Sequence, residues 1–212
     1  DFTGSVALNN SGANNVAITD VNAIDFGTST LGSGSFTVTA VGITQSGAIT
    51  QTSSAGSATF NAGTGVITLT QSNDFTGSVA LNSTGATVAI TDANAINFGA
   101  STLGSGSFAV TAVGITQTGT ITAAGNSSFN AGAGVITLTQ SNDFTGAVSL
   151  NNSGANNVAI TDANAINFGA STLGGGSFTV TAVGITQSGS ITVAGTSSFN
   201  AGNGVITLTQ SN

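Results

Sequence analysis

Seven aspartates are the only acidic side chains in this 212-residue sequence, and they limit the chemistry that the chain can perform. General acid–base catalysis needs a group of suitable pKa held beside a partner. Asp20 and Asp25 form the closest pair, but Asn97 and Asn167 stand where Asp25 would recur in the later repeats of the sequence. Serine and threonine nucleophiles have no histidine or lysine to activate them. The sequence therefore predicts no enzymatic activity, no catalytic residue and no cofactor.

Three of the aspartates, Asp20, Asp92 and Asp162, recur in the same segment, Ile-Thr-Asp-x-Asn-Ala-Ile. Hard cations prefer oxygen ligands, so stacking of these segments would make the three carboxylates candidates for weak calcium binding. The alternative is that each carboxylate caps a turn by accepting hydrogen bonds from nearby backbone N–H groups. The glycine-aspartate nonapeptide of calcium-binding β-rolls is absent, and we predict no other metal site.

The sequence contains no lysine, arginine or histidine, and its formal net charge is −7. Nucleic-acid binding depends on cationic side chains that displace counterions, so we expect no nucleic-acid partner. No run of about 18 apolar residues occurs, so we expect no membrane insertion in this segment. Hydrophobic residues make up 39% of the chain and charged residues 3%, a balance that favours a folded chain over a disordered one.

The elements that must position these residues are organised as tandem repeats. Each repeat opens with Asp-Phe-Thr-Gly and closes with Val-Ile-Thr-Leu-Thr-Gln-Ser-Asn, which divides the chain into 1–73, 74–142 and 143–212. We interpret the three repeats as parts of one continuous structure. Another Asp-Phe-Thr-Gly could directly follow Asn212, so we expect an excerpt of a longer array or a unit that stacks end to end.

Within each repeat, apolar and polar residues alternate with a period of two, which is typical of β-strands. In residues 178–183, Phe178, Val180 and Ala182 point one way and the two threonines between them point the other. The sequence predicts an all-β parallel β-solenoid with about four coils of 15 to 19 residues per repeat; an antiparallel β-sandwich is the alternative. With strands ~4.8 Å apart, each repeat would advance the axis by ~19 Å.

The two faces of each strand have different predicted roles. Thr37 and Thr39 flank Val38 on the outward face, and such Thr-x-Thr ranks resemble the flat faces of ice-binding solenoids, although Ala109 interrupts the rank in the second repeat. Ice binding is therefore the alternative function. We expect the largest apolar side chains at equivalent positions to form the core, namely Phe36, Phe108, Phe178, Phe60, Phe129, Phe199, Leu69, Leu138 and Leu208.

Two segments carry a resemblance to a known class of proteins, NDFTGAVSLNNSGANNVAITDANAI and GSFTVTAVGITQSGSIT. They resemble the repeats of large bacterial surface proteins of the filamentous-haemagglutinin-like and autotransporter adhesin type. The resemblance implies a right-handed parallel β-helix at the bacterial cell surface or outside the cell. It also implies a structural role as an adhesin stalk, a sheath or a filament of biofilm matrix, with other copies or neighbouring repeats of the same chain as the partner.

Overall fold

The computed structural model describes residues 1–212, and every regular secondary-structure element in it is a β-strand. They form because β-branched and aromatic residues alternate with polar ones, as in Phe178–Thr181, where Phe178 and Val180 are buried and the two threonines are exposed. The structure contains no helix of the length and apolarity needed to span a membrane. The strands are β1 (Val16–Thr19), β2 (Ile24–Phe26), β3 (Ser29–Leu31), β4 (Phe36–Thr39), β5 (Ile43–Gln45), β6 (Ile49–Gln51), β7 (Ala58–Asn61), β8 (Ile67–Asn73), β9 (Ser78–Ser83), β10 (Val88–Asp92), β11 (Ile96–Phe98), β12 (Ser101–Leu103), β13 (Phe108–Thr111), β14 (Ile115–Gln117), β15 (Ile121–Ala123), β16 (Ser127–Asn130), β17 (Ile136–Phe144), β18 (Ala147–Asn152), β19 (Val158–Asp162), β20 (Ile166–Phe168), β21 (Ser171–Leu173), β22 (Phe178–Thr181), β23 (Ile185–Gln187), β24 (Ile191–Val193), β25 (Ser197–Asn200) and β26 (Ile206–Thr207).

Successive coils stack in parallel and build two long sheets. The first sheet follows the order β1-β4-β7-β9-β11-β14-β17-β19-β22-β25, and the second follows β2-β5-β8-β10-β13-β16-β18-β20-β23-β26. Each strand pairs with the strand one coil later, so that Val16 lies beside Phe36 and Phe36 beside Ala58. This arrangement confirms the predicted all-β parallel β-solenoid and excludes the antiparallel sandwich.

Consecutive repeats differ by half a turn about the solenoid axis. The segment Val-Ala-Ile-Thr lies in the first sheet as β1, in the second sheet as β10, and in the first sheet again as β19. Seven steps of the first sheet separate β1 from β19, so two repeats span seven coils and each repeat spans three and a half. This number is close to the four coils expected, and the axial advance becomes ~17 Å per repeat.

The coil is somewhat longer than the 15 to 19 residues expected. That expectation assigned one coil to each of the four phenylalanines of a repeat, and the structure does not follow this assignment. Phe26 lies in the second sheet and Phe36 in the first sheet of the next coil, so these two residues are only half a coil apart. Paired residues such as Val16 and Phe36 are separated by a whole coil of about 20 residues.

The core lies between the two sheets and is filled by the side chains that the alternation points inward. Phe108 and Phe129 are buried and their rings meet edge to face, with centroids 5.5 Å apart, a favourable aromatic geometry. Of the nine residues predicted to form the core, seven are fully buried, whereas Phe199 and Leu208 are partly exposed. Both lie in the last coil, so no further coil covers them.

A glycine at one corner of each repeat allows the backbones of neighbouring coils to lie as close together as paired β-strands do. A Cβ atom on Gly104 would overlap the backbone carbonyl oxygen of Thr84 in the preceding coil. The equivalent Gly32 and Gly174 would overlap carbonyl oxygens in the same way. Only glycine allows the two backbones to lie this close.

Candidate functional site

The aspartates of the three Ile-Thr-Asp segments cap turns of the backbone. Asp92 accepts one hydrogen bond from the backbone N–H of Phe75 and one from that of Asn94, both at 2.8 Å. Asp20 and Asp162 accept the equivalent pairs of hydrogen bonds at the same distance. This is the turn-capping geometry, in which each carboxylate links the opening of its repeat to the following coil.

The calcium candidates are not brought together. Asp20 and Asp162 border the first sheet seven coils apart, or ~34 Å, and Asp92 belongs to the second sheet. No group of three or more acidic, histidine or cysteine side chains is close enough to hold a metal ion. Asp25, the other member of the closest acidic pair in the sequence, accepts hydrogen bonds from the hydroxyls of Thr44 and Ser46 in the next coil.

The capping carboxylates differ in pKa according to their place along the solenoid. Burial raises the pKa of Asp92 and of Asp162, against the opposing effect of their two backbone hydrogen bonds. The pKa of Asp20 is lowered, chiefly by the backbone hydrogen bond from Asn22 and then by that from Phe2. No strand precedes β1 in the first sheet, whereas β8 precedes β10 and β17 precedes β19, so fewer protein atoms surround the carboxylate of Asp20.

An asparagine at the end of each repeat joins three successive coils. The Oδ1 atom of Asn73 accepts hydrogen bonds from Gln45 Nε2 at 2.8 Å and from the backbone N–H of Ile49 at 2.9 Å, both in the coil before. Its Nδ2 atom donates to the carbonyl of Leu69 in its own strand and to that of Thr91 in the coil after, both at 3.0 Å. We call this arrangement the asparagine clasp.

The asparagine clasp recurs in the second repeat and is half formed in the third. Asn142 makes the equivalent bonds and, like Asn73, is fully buried. Asn212 accepts hydrogen bonds from Gln187 Nε2 and the Ile191 N–H, both at 2.9 Å, but it is exposed and has no acceptor in a following coil. Our reading of the sequence overlooked this clasp; the recurrence of Ile-Thr-Gln and Thr-Gln-Ser-Asn in every repeat was the signal for it.

The last coil exposes core that is covered in the preceding repeats. Ile206 is 47% exposed, whereas its counterparts Ile67 and Ile136 are fully buried. A cavity of about 230 Å³ opens at this end. It is lined by Ile191, Val193, Ser197, Phe199, Leu208 and Asn212.

The first coil presents a complementary apolar edge. Phe2 is 47% exposed, whereas its counterparts Phe75 and Phe144 are buried. Four further apolar residues of this coil are only partly buried, although their counterparts in the second repeat are buried: Val6, Leu8, Val16 and Ile18. The first and last coils of residues 1–212 therefore expose apolar side chains whose counterparts are covered by a neighbouring coil at the internal repeat boundaries.

The outward threonines do not form a regular flat array. Thr37 is stacked between Ala17 and Thr59, and Thr39 lies between Thr19 and Asn61. Only one of these three coils therefore carries threonine at both outward positions. The half-turn between repeats also places the second repeat's version of this segment on the other sheet. This geometry does not favour the ice-binding alternative.

A family model described as repeats of unknown function (DUF5649) matches residues 13–82, 85–151 and 155–212. The three matches cover most of the chain and follow one another as tandem units. No curated protein and no solved structure matches the chain.

Proposed function

Because the chain belongs to the family of repeats of unknown function DUF5649, we propose its function from its geometry: it is a structural rod that extends by the addition of coil upon coil. The observation that carries this proposal is the continuity of the solenoid across its repeat boundaries. At the first boundary β8 pairs with β10 through Ile67–Val88, and at the second β17 pairs with β19 through Ile136–Val158. Each repeat contacts only its neighbours, so such a rod can be lengthened without change to its interior.

The rod's composition suits a structural role outside a bacterial cell. The chain has no lysine or arginine, and it therefore offers no cleavage site to trypsin-like proteases. Its outer faces carry mainly Thr, Ser, Asn and Ala, which favour hydrogen bonding along uncharged flanks. Together with the resemblance to bacterial surface repeats, this supports a stalk of an adhesin, a sheath or a filament of biofilm matrix. Side-by-side packing of rods is part of the same proposal.

The proposal gives the chain no enzymatic role. The carboxylates that recur in the Ile-Thr-Asp segments, such as those of Asp92 and Asp162, accept backbone hydrogen bonds that hold them in turn-capping positions. The function we assign lies in the length and stiffness of the rod, which depend on strand pairing and on the apolar core.

Electron microscopy of versions with three and with six repeats tests the rod. We expect lengths of ~50 Å and ~100 Å at constant width, because each repeat adds ~17 Å. Bundled material should show a ~4.8 Å layer line and a true axial period of ~34 Å, since equivalent faces return only after two repeats. Particles whose longest dimension does not scale with the number of repeats would overturn the proposal.

A further inference from the structure

We propose that a polar cavity on the outer surface of the solenoid, at the boundary between the second and third repeats, binds one ring of a neutral saccharide chain. The cavity has a volume of about 210 Å³ and is lined only by polar residues and glycine, namely Asn130, Gly132, Asn151, Asn152, Ser153 and Thr172. This volume is several times the ~30 Å³ of one water molecule and smaller than the pockets of ~300 Å³ or more that hold drug-sized ligands. It therefore suits a single sugar ring.

The polar cavity lies in the middle of a column of outward side chains, which we call the open column. Strand pairing places Asn130 beside Asn151 and Asn151 beside Thr172. Thr111 continues the column before Asn130, and Thr192 continues it after Thr172. The side chains follow one another at the strand spacing of ~4.8 Å, so they present hydroxyl and amide groups in a line parallel to the axis. Such a line fits an extended saccharide chain, with one ring in the cavity and its neighbours on the threonines.

The equivalent column at the first repeat boundary lies on the other sheet and is closed by its own hydrogen bonds. We call it the closed column. There, Asn82 Nδ2 donates to Asn61 Oδ1 at 2.9 Å, and Asn82 Oδ1 accepts from the backbone N–H of Thr102 at 3.2 Å. In the open column, Asn130 Oδ1 instead accepts from the backbone N–H two residues later, at 3.2 Å. The side chain of Asn151 thus lacks the equivalent bonds, and its amide can donate to and accept from a ligand.

A buried oxygen atom beside the polar cavity also lacks a partner. Asn152 is 3% exposed, its Nδ2 atom donates to the carbonyl of Gly134, and its Oδ1 atom accepts no hydrogen bond. The closed column has Ser83 at this position, whose hydroxyl donates to the carbonyl of Gly65 at 2.8 Å. Because buried polar atoms in proteins are nearly always paired, the unpaired oxygen favours a ligand that supplies hydroxyl donors.

The charges of the chain favour a neutral saccharide over an acidic one. No aspartate pairs with a member of the open column, whereas Asp143 pairs with Thr122 at the end of the closed column. The chain has seven aspartates and no cationic side chain that could bind a carboxylate or sulfate group, so an acidic saccharide would be repelled. Hydrogen bonds contribute little net free energy in water, and no aromatic side chain lines the cavity. We therefore expect a dissociation constant in the millimolar range.

Titration of the isotope-labelled chain with cellotetraose, a neutral and extended tetrasaccharide of glucose, tests the binding by NMR. At millimolar concentrations the amide signals of Asn151, Asn152 and Thr172 should shift, while those of Asn82 and Thr102 in the closed column should not. A tetrasaccharide of galacturonic acid should leave all of them unchanged. The proposal is overturned if cellotetraose causes no shift, if it shifts both columns equally, or if the acidic tetrasaccharide binds as well.

The same substitution in the two columns tests which residues carry the binding. Asn151→Ala should raise the dissociation constant for cellotetraose about tenfold, because it removes two hydrogen bonds to the ligand. Asn82→Ala is the matched control and should leave this constant unchanged. Both side chains point outward from their strands, and circular dichroism checks that both variants keep the fold. An unchanged constant for Asn151→Ala, or equal weakening by the two substitutions, would contradict the inference.

This inference goes beyond the structural role, and the two can fail separately. Rods whose length scales with the number of repeats but that bind no cellotetraose would refute the saccharide site and leave the structural role intact. Binding at Asn151 by particles that do not lengthen with added repeats would refute the rod and leave the saccharide site intact.

Discussion

The side-chain amide of Asn142 donates a 3.0 Å hydrogen bond to the carbonyl of Thr161, one coil further along the solenoid. The same side chain accepts a hydrogen bond from the backbone N–H of Ile121 in the coil before, at 2.9 Å. Asn142 is fully buried, so solvent has little access to its side-chain amide. One amide thus holds three coils in register at the boundary between two repeats.

Asn142→Ala should lower the stability of the solenoid, because it leaves the Ile121 N–H and the Thr161 carbonyl buried without partners. Each unsatisfied group costs about 1–3 kcal/mol, so we expect a loss of about 3 kcal/mol in the free energy of unfolding. Asn212→Ala is the matched control and should cost less than about 1 kcal/mol, because Asn212 is exposed. Urea denaturation of the monomer followed by circular dichroism measures both. Equal effects of the two substitutions would show that the clasp does not act as described.

Gly104→Ala should destabilise the stack, because the new Cβ would overlap the carbonyl oxygen of Thr84 and force two coils apart. Overpacking of this kind costs about 1–3 kcal/mol or more. Gly85 lies beside Thr84 in the chain, and a Cβ there would meet open space, so Gly85→Ala should change stability by less than about 1 kcal/mol. Thermal unfolding of the two variants provides the comparison. The prediction fails if Gly104→Ala melts at the temperature of the unmodified chain.

The solenoid should become more stable as the pH falls from neutral toward 4. Burial raises the folded-state pKa of Asp92 and of Asp162 above the unfolded value of 3.8, so the folded chain takes up protons more readily than the unfolded one. Their contribution is fully present below 3.8 and is lost as the pH rises through the raised pKa values. Asp20, with a lowered pKa, has the opposite sign and weakens the fold only below 3.8.

Urea midpoints between pH 7 and pH 4 test this pH dependence. The midpoint should rise as the pH falls, and the double variant Asp92→Asn/Asp162→Asn should show a flatter dependence whatever its absolute stability. A midpoint that decreases steadily from pH 7 to pH 4 in the unmodified chain would refute the assignment.

Cysteine pairs should report the register of the coils within one chain. Asn61 and Asn82 are paired neighbours in the first sheet, 21 residues apart, and pyrene labels at Asn61→Cys/Asn82→Cys should therefore give strong excimer emission. Thr68 is only seven residues from Asn61 but lies in the second sheet, so labels at Asn61→Cys/Thr68→Cys should not. Measurement at high dilution excludes contacts between chains. Excimer emission from the second pair alone would be inconsistent with the parallel solenoid.

Much of the fold could be predicted from local patterns. Alternation in segments such as Phe178–Thr181 predicts strands, and the repetition of those segments predicts that equivalent side chains stack in one core. Phe36, Phe108 and Phe178 are buried as expected. The asparagine clasp was harder to foresee, because Asn73 lies next to Asp74 in a polar stretch whose burial depends on coils that are distant in sequence.

The amino-acid sequence by itself determined the strand type, the composition of the core and the absence of cationic chemistry, because these follow from residue type and from a period of two. The tertiary structure decided in which of the two sheets the equivalent segments of each repeat lie. One complete coil takes about 20 residues, because the chain must turn through its corners before it pairs with the coil before. A repeat of about 70 residues therefore does not contain a whole number of coils. Thr37 and Thr179 therefore lie in the same sheet, while their counterpart Ala109 lies in the other. Only the stacking of complete coils could reveal that relationship.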